Sequence, residues 1–346
     1  MRAVNRLVTI AVPCFNAEAS LARTLQSLVS QTHSDIEVLI VDDGSTDRTS
    51  QIAQRFVAHD SRIRLLASRT NSGVAAARNL ALAHANGDFF APLDSDDLWK
   101  PNKLELLLQP LLADSSFGVA YSWFDNIDER DRIFYGGFRY SFQGDVLAKL
   151  CQVDFIGNGS NAVMRTALVK AAGGYDSSLR ARGAEGCEDW KLALQLAERC
   201  RFAVVTQPLT GYRLSSTNMS NNVVQMVKSA ELVAHDFSAL HPQYSQVLRL
   251  HVLNRIFRGV ARSIRRRQWH DAKWLAQRAT CFGTTAGLTA ICHFAYHGFV
   301  ANAHGLLRLA RRGWLSPAPR PPFLELSPPA GTAKAGRPTR APETLM

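Results

Sequence analysis

Cysteine is scarce and dispersed: six residues in 346, with no C-x-x-C pair. That spacing excludes a disulfide scaffold and offers no metal-ligand set, so the thiols read as buried or inert groups in a reducing compartment. The chain also lacks the bias of a disordered or collagen-like protein, since 46% of its residues are hydrophobic. Neither G-x-G-x-x-G nor G-x-x-x-x-G-K-[ST] follows the first apolar run, which argues against a dinucleotide fold or a P-loop. Acidic residues are few in the last third. Residues 223–346 carry 17 Lys+Arg against 5 Asp+Glu, whereas residues 1–222 carry 23 against 24. The formal charge of +11 therefore arises in the C-terminal third, a sign of two parts with different jobs.

A clear membrane span is missing too. Residues 279–307 hold no Lys, Arg, Asp or Glu, but their histidines, glycines and alanines predict packed or interfacial helices instead. At the other end, Arg2 and Arg6 precede the apolar run Leu7–Phe15, and Ala17-Glu18-Ala19 imitates a cleavage site. Pro13 and Asn16 break that run early, so a first buried strand is expected rather than a signal peptide. In an unsecreted chain the Asn-x-Ser matches at Asn158 and Asn218 carry no meaning.

What is present is alternation. Leu7–Val12, Glu37–Val41, Ile63–Ala67 and Phe89–Leu93 read as strands, with helical spacing at Ala17–Ser30, Asp47–His59 and Val74–Ala85 between them. Near-continuous apolar strands alternating with helices predict an α/β fold whose mainly parallel sheet is covered on both faces. Further on, Lys103–Leu112, Asp145–Cys151 and Glu188–Arg199 read as helices; Val119–Phe124, Ile133–Phe138, Phe202–Val205 and Leu209–Arg213 read as strands. The expected organisation is a catalytic-type domain over 1–222, a basic helical region over 223–315 and a disordered Pro/Ala/Gly-rich tail over 316–346.

Ligands of open parallel sheets lie at the carboxyl ends of the strands. The loops leaving those ends read Pro13-Cys-Phe-Asn16, Asp42-Asp43-Gly44-Ser45, Asn71-Ser-Gly73 and Asp94-Ser95-Asp96-Asp97. Clustered carboxylates repel one another unless a cation or hydrogen-bond donors compensate them, and oxygen ligands suit Mg²⁺ or Mn²⁺ bridging to phosphates. An Asp-rich turn capping the next helix is the other reading of 94–97.

Six motifs then carry a resemblance. V-P-C-F-N at 12–16, V-D-D-G-S-T-D at 41–47, N-S-G-V-A-A-A-R-N at 71–79, L-D-S-D-D-L-W at 93–99, G-G-Y-D at 173–176 and E-D-W at 188–190 stand in that order. Together they make the chain similar to the family 2 glycosyltransferases of GT-A fold, from Val8 to about Ser220. The resemblance implies a nucleotide-sugar site. In it Asp43 takes a hydrogen bond from the nucleobase, Pro13 borders the base pocket, and Asn16 is a further nucleotide-sugar contact. Asn71, Gly73 and Ser95 belong to the nucleotide-sugar site, Asp94 faces the ribose, and Asp96 holds a divalent metal, Mn²⁺ or Mg²⁺. Asp97 is expected to support the turn. Arg78 either reaches nucleotide oxygens or is an exposed helical arginine. Glu188 and Asp189 match the family's acidic pair, with Asp189 as general base. Where relatives often place a histidine after the Tyr-Arg of 212–213, this chain has Ser215.

The activity so implied is inverting transfer from a nucleoside-diphosphate sugar, UDP-linked by expectation, to a glycan or lipid-linked acceptor in cell-surface polysaccharide assembly. The expected location is cytoplasmic. Arg262, Arg265, Arg266 and Arg267, with Trp269 and Trp274, have the composition of an interfacial helix, which predicts peripheral docking on an anionic membrane surface. A sugar-nucleotide pyrophosphorylase would carry a Gly-rich basic loop after the first strand, and this chain has V-P-C-F-N there. A non-catalytic nucleotide-sugar or glycan-binding protein is the remaining alternative, and it predicts one broken acidic pair. A specific nucleic-acid partner is not expected, because no recognisable module accompanies the basic region.

Overall fold

A computed structural model describes residues 6–215, 218–283 and 320–324. The expectations for 284–315, and for the tail apart from 320–324, lie outside the described residues.

The first half is a regular alternation of strand and helix: β1 (Val8–Cys14), α1 (Leu21–Val29), β2 (Ile36–Asp43), α2 (Thr49–His59), β3 (Ile63–Ser68), α3 (Val74–Ala83) and β4 (Phe89–Pro92). The strands are all parallel, in the order β3-β2-β1-β4. All seven residues of β1 are buried, so the early apolar run is a central strand of the sheet. Such strands need helices on both faces, and the alternation supplies them.

The second half brings β5 (Leu98–Trp99), α4 (Lys103–Ala113), β6 (Phe117–Ile127), β7 (Ile133–Gly136), α5 (Leu147–Gln152), β8 (Ala162–Arg165), α6 (Thr166–Ala171), α7 (Ser178–Ala181), α8 (Glu188–Ala197) and β9 (Arg201–Arg213). They extend the sheet as β4-β8-β6-β9-β5, with β7 on the edge of β6. Here the pairing turns mixed: β8 is antiparallel to both β4 and β6, while β9 runs parallel to β6. The two strands expected at 202–205 and 209–213 are one strand. Its register with β6 shifts around Trp123, whose partner is Pro208. A proline cannot donate to the ladder, so the strand bulges there and continues.

Three helices follow: α9 (Val223–Leu240), α10 (Ser245–Arg265) and α11 (Trp269–Thr280). In α10 the residues Val252, Ile256, Val260 and Ile264 are buried at helical spacing, in one core with Trp190 and Leu194 of α8. At ~1.5–3 kcal/mol for each fully buried aliphatic side chain, this stripe outweighs the helix's surplus of positive charge and pins it to the sheet domain. Among the described residues no helix is long and apolar enough to cross a membrane.

Residues 320–324 depart from the disordered-tail expectation. Phe323 is fully buried against Leu98 and Ile127, and Pro322 bridges to Arg132 beside β7. The Ile133 amide donates to the Pro321 carbonyl at 2.9 Å, and the Phe323 amide donates to the Asp131 carbonyl at 2.8 Å. Pro/Ala/Gly-rich composition, averaged over the tail, hides a single anchoring phenylalanine.

Candidate functional site

The loops at the carboxyl edge open into a cleft of about 1100 Å³. Pro13, Asn16, Arg78 and the Asp94-Ser95-Asp96 triplet line it, and so do Glu188, Asp189 and Ser215. Asp43, Asn71 and Gly73 are not among its lining residues, although Val74, next to Gly73, is. Asp43 is nearly buried, and its two oxygens accept from the backbone amides of Ser72 at 2.9 Å and Gly73 at 2.7 Å. Its role in this structure is to hold the 71–73 loop, with Gly73 at φ 92 turning the chain into α3. The Asn71 carboxamide oxygen in turn accepts from Arg180 at 2.5 Å. Asn16 adopts φ 50, and its side-chain oxygen accepts from the Thr46 amide at 2.8 Å, tying the first loop to the second.

Arg78 decides how the site is assembled. It leaves α3 almost wholly buried, which excludes the exposed helical arginine. One guanidinium nitrogen donates to Asp94 at 2.6 Å and another to Glu188 at 2.7 Å, and the group lies 5.3 Å from the Tyr175 ring centre. Burial works against its charge, yet Asp94 and Glu188 outweigh burial and hold its pKa above the ordinary range. Gly159 passes so close that an added Cβ would fall 2.4 Å from the guanidinium. The clamp draws together two acidic motifs nearly a hundred residues apart.

Within each motif one carboxylate, Asp96 in the first and Asp189 in the second, has no ion pair among the described residues, and the others are tied down. Asp97 is fully buried; it accepts from the Ser160 hydroxyl at 2.6 Å and from the Arg213 amide at 2.8 Å, which makes it a support of the turn. Burial, then Asp96 and Asp94, push its pKa well up. Glu188 is held by Arg78 and by the Gly186 amide at 3.1 Å. Its neighbour Asp189 has no ion pair among the described residues and accepts a hydrogen bond from the Trp190 amide at 2.7 Å. Burial first, then Glu188 and Asp154, raise the Asp189 pKa to about 8 against the pull of Arg78. A carboxylate in the cleft with raised proton affinity has the chemistry of a general base.

Asp96 is likewise pushed up to about 6, by burial and by the charge of Asp94, against Arg213. Among the described residues no three carboxylate, histidine or cysteine groups converge into a metal cage. Mg²⁺ and Mn²⁺ need less than a cage when phosphates complete the shell, and two mutually repelling carboxylates at the cleft fit such an ion.

Sequence reasoning missed three supports. Ser160 accepts from the Asp94 amide at 3.0 Å while donating to Asp97, so it fixes both ends of the triplet. Arg213 is buried; its Nε donates to the Asp96 carbonyl at 2.6 Å, and its guanidinium pairs with Asp131. Arg255 comes from α10, reaching Asp154 at 3.1 Å and His251 Nε2 at 2.9 Å. Burial and Arg255 depress His251 to about 4, so the ring is neutral, its Nδ1 donating to the Gln152 carbonyl. The charge of the C-terminal third was the one available signal for Arg255. Ser215 bonds to Asn218 through its backbone amide at 2.9 Å, on the cleft wall.

Comparison with known proteins adds a family to this geometry. The family described as Glycosyl transferase family 2 matches residues 9–172. Glycosyltransferase GlyG of Streptococcus pneumoniae serotype 4 is 33% identical over 132 residues, 38% of this chain and 44% of that protein. The UDP-Glc:alpha-D-GlcNAc-diphosphoundecaprenol beta-1,3-glucosyltransferase WfgD of Escherichia coli is 42% identical over 109 residues, 32% of this chain and 42% of that protein. The chain thus spans less than half the length of the curated relatives it matches. Among solved structures, S. aureus TarS 1-349 in complex with UDP-GlcNAc superposes with a TM-score of 0.59 at 18% identity, covering 89% of this chain and 92% of that one. That likeness establishes the fold.

Proposed function

Because the chain carries a glycosyl transferase family 2 domain over residues 9–172, we propose that it is an inverting glycosyltransferase using a nucleoside-diphosphate sugar. The observation that carries the reading is the Arg78 clamp, which sets the Asp94–Asp96 triplet and the Glu188–Asp189 pair on one cleft while leaving Asp189 uncommitted. A protein that only bound nucleotide sugars would have no use for an unpaired carboxylate of raised proton affinity.

The chemistry follows from charge and geometry. A divalent cation, when bound, would be held by Asp96 with Asp94 and would neutralise the departing diphosphate. This chain's own residues orient and deprotonate. Asp189 takes the proton of the acceptor hydroxyl as its oxygen bonds to the anomeric carbon and the carbon–phosphate oxygen bond breaks. One displacement with one base inverts the anomeric centre. Arg78 keeps Asp94 and Glu188 in place and stays clear of the proton's path. Arg213 and Ser160 hold the triplet's backbone.

For the donor we favour UDP-sugars, as WfgD by its name uses UDP-Glc and TarS was solved with UDP-GlcNAc. For the acceptor we favour a glycan or lipid-linked sugar of surface polysaccharide assembly, in keeping with WfgD's diphosphoundecaprenol substrate. Peripheral membrane docking rests on fewer residues than the sequence suggested. Arg262 turns into the cleft, and Trp274 packs on the core under Lys228. Arg265, Arg266, Arg267 and Trp269 remain exposed at the end of α10 and the start of α11. A donor panel assayed for nucleoside diphosphate release, with and without Mn²⁺, tests the function. Release from at least one UDP-sugar, stimulated by Mn²⁺, is expected; no release and no binding for any sugar nucleotide overturns it.

A further inference from the structure

One face of α10 carries His251, Arg255, Arg258 and Arg262 at spacings of four, three and four, and all four line the same cleft as the acidic motifs. Gly259, beside Arg258, allows this approach: a Cβ there would meet Val223 of α9 at 2.7 Å. A glycine inside a helix costs about 1 kcal/mol against alanine, and here it brings the basic face close to the site. The four residues divide into two pairs. His251 and Arg255 are committed, to the Gln152 carbonyl and to Asp154, and both lie against the Trp190 ring. Arg258 and Arg262 have no carboxylate partner among the described residues. Arg258 donates to the Asn254 carbonyl of its own helix, at 3.4 Å. Arg262 donates to two neutral acceptors, the Ser220 carbonyl at 2.9 Å and Asn221 at 2.7 Å.

These two cations are held at a cost. Burial and the neighbouring Arg255 press against the charge of Arg258 and outweigh the pull of Asp154; burial and Arg266 press likewise against Arg262. An unpaired, partly desolvated cation in a cleft is compensated when an anion enters. Phe138 lines the same cleft and belongs to a run of exposed rings. Tyr135, Phe138 and Tyr140 expose from about a third to about half of their surface, on β7 and the segment after it. The Tyr140 and Tyr135 hydroxyls lie within electrostatic reach of Arg258 and Arg262 respectively. A row of exposed rings beside unpaired arginines offers flat apolar faces to sugar rings and charge to an anionic substituent.

Position assigns this surface to one substrate. On one side of Asp189 in the chain, Glu188 is tied through Arg78 to Asp94 of the donor motif; on the other, Trp190 is covered by His251 and Arg255 of α10. A base must stand between donor and acceptor, so the α10 side belongs to the acceptor. We propose that Arg258 and Arg262, with the Tyr135–Tyr140 ring row, form an acceptor subsite selective for a glycan that carries an anionic group, carboxylate or phosphate. This rests on the glycosyltransferase reading and deepens it by naming the acceptor's chemical class.

The test uses the full chain and defined probes. Binding by calorimetry is measured for oligogalacturonate, glycerol-phosphate oligomers and neutral malto-oligosaccharides of matched length, and separately for UDP. The parent is expected to bind at least one anionic oligomer about tenfold more tightly than the neutral one. Arg258→Ala should remove that preference, Arg258→Lys should restore part of it, and UDP affinity should stay within twofold in both. Which anionic oligomer binds distinguishes carboxylate from phosphate. Equal binding of neutral and anionic oligomers overturns the proposal. Loss of UDP affinity in Arg258→Ala overturns it too, by assigning the row to the donor diphosphate. Binding of anionic vesicles that Arg258→Ala abolishes, with no oligomer bound, would make the row a membrane contact instead. If UDP and every sugar nucleotide fail to bind while the anionic preference persists, the enzymatic reading falls and the anion site stands.

Discussion

The acidic triplet at 94–97 and the acidic pair at 188–189 meet the same problem, adjacent carboxylates at a cleft, with different means. At the pair a buried cation compensates: Arg78 takes Glu188, and Asp189 is left to titrate. At the triplet Arg78 takes Asp94 as well, but a hydroxyl and a backbone amide, from Ser160 and Arg213, hold Asp97, and the repulsion is passed to Asp96. The contrast separates two kinds of site. A carboxylate raised to about 8 and lacking an ion pair among the described residues is suited to accept a proton, while two mutually repelling carboxylates are suited to share a cation.

Breaking each end of this comparison should give different losses. Asp96→Ala has the largest expected effect: Mn²⁺-stimulated turnover disappears while circular dichroism and Tm stay near the parent's. Turnover unaffected by this change, or by excess EDTA, sinks the metal assignment. Asp189→Asn should lower transfer by roughly 10²–10⁴-fold with donor affinity retained, as removal of a general base requires. A collapse of donor affinity would instead make Asp189 a nucleotide contact.

Stability responds next. Arg78→Met leaves Glu188 and Asp94 without their shared cation and is expected to cost about 3–5 kcal/mol in denaturant unfolding. A cost below about 1 kcal/mol would show that the clamp is replaceable. The smallest effects are graded with pH. The folded-state pKa of Asp189 lies above its unfolded value, so the parent loses stability as pH rises from about 4 to about 8. Asn at that position removes this loss, so the variant should gain on the parent across that window and hold the gain above it. The parent's kcat/KM should rise over the same range as Asp189 ionises. A flat profile from pH 6 to 9 would mean that a different group takes the proton.

The parallel strands were legible because each is a short, nearly unbroken apolar run followed by a polar turn, as in Glu37–Val41 before Asp42-Asp43-Gly44-Ser45. The second half was less so. β5 has two residues and β8 four, too few for any periodicity to register. Most carboxylates of the site were read from motif order, but their division of labour was not, since it depends on which nitrogen of Arg78 meets which oxygen. Ser160, Arg213 and Arg255 were invisible for the same reason: each acts through a partner more than fifty residues away along the chain. The basic third announced charge without direction, and only the packing of α10 turns part of it toward the cleft.

The docked segment at 320–324 has a consequence for the edge of the sheet. β7 pairs with β6 on one side, and Arg132, next to its start, is bridged by Pro322. Arg320 lies 4.2 Å from the centre of the Phe134 ring, on the strand that opens the exposed aromatic row. An uncovered edge strand with aromatic side chains is a template for pairing with a second molecule. This short stretch of chain therefore acts as a selvedge. A chain cut before Arg320 would present a frayed, sticky border, and self-association would begin at the rim where sugar rings are expected to slide past.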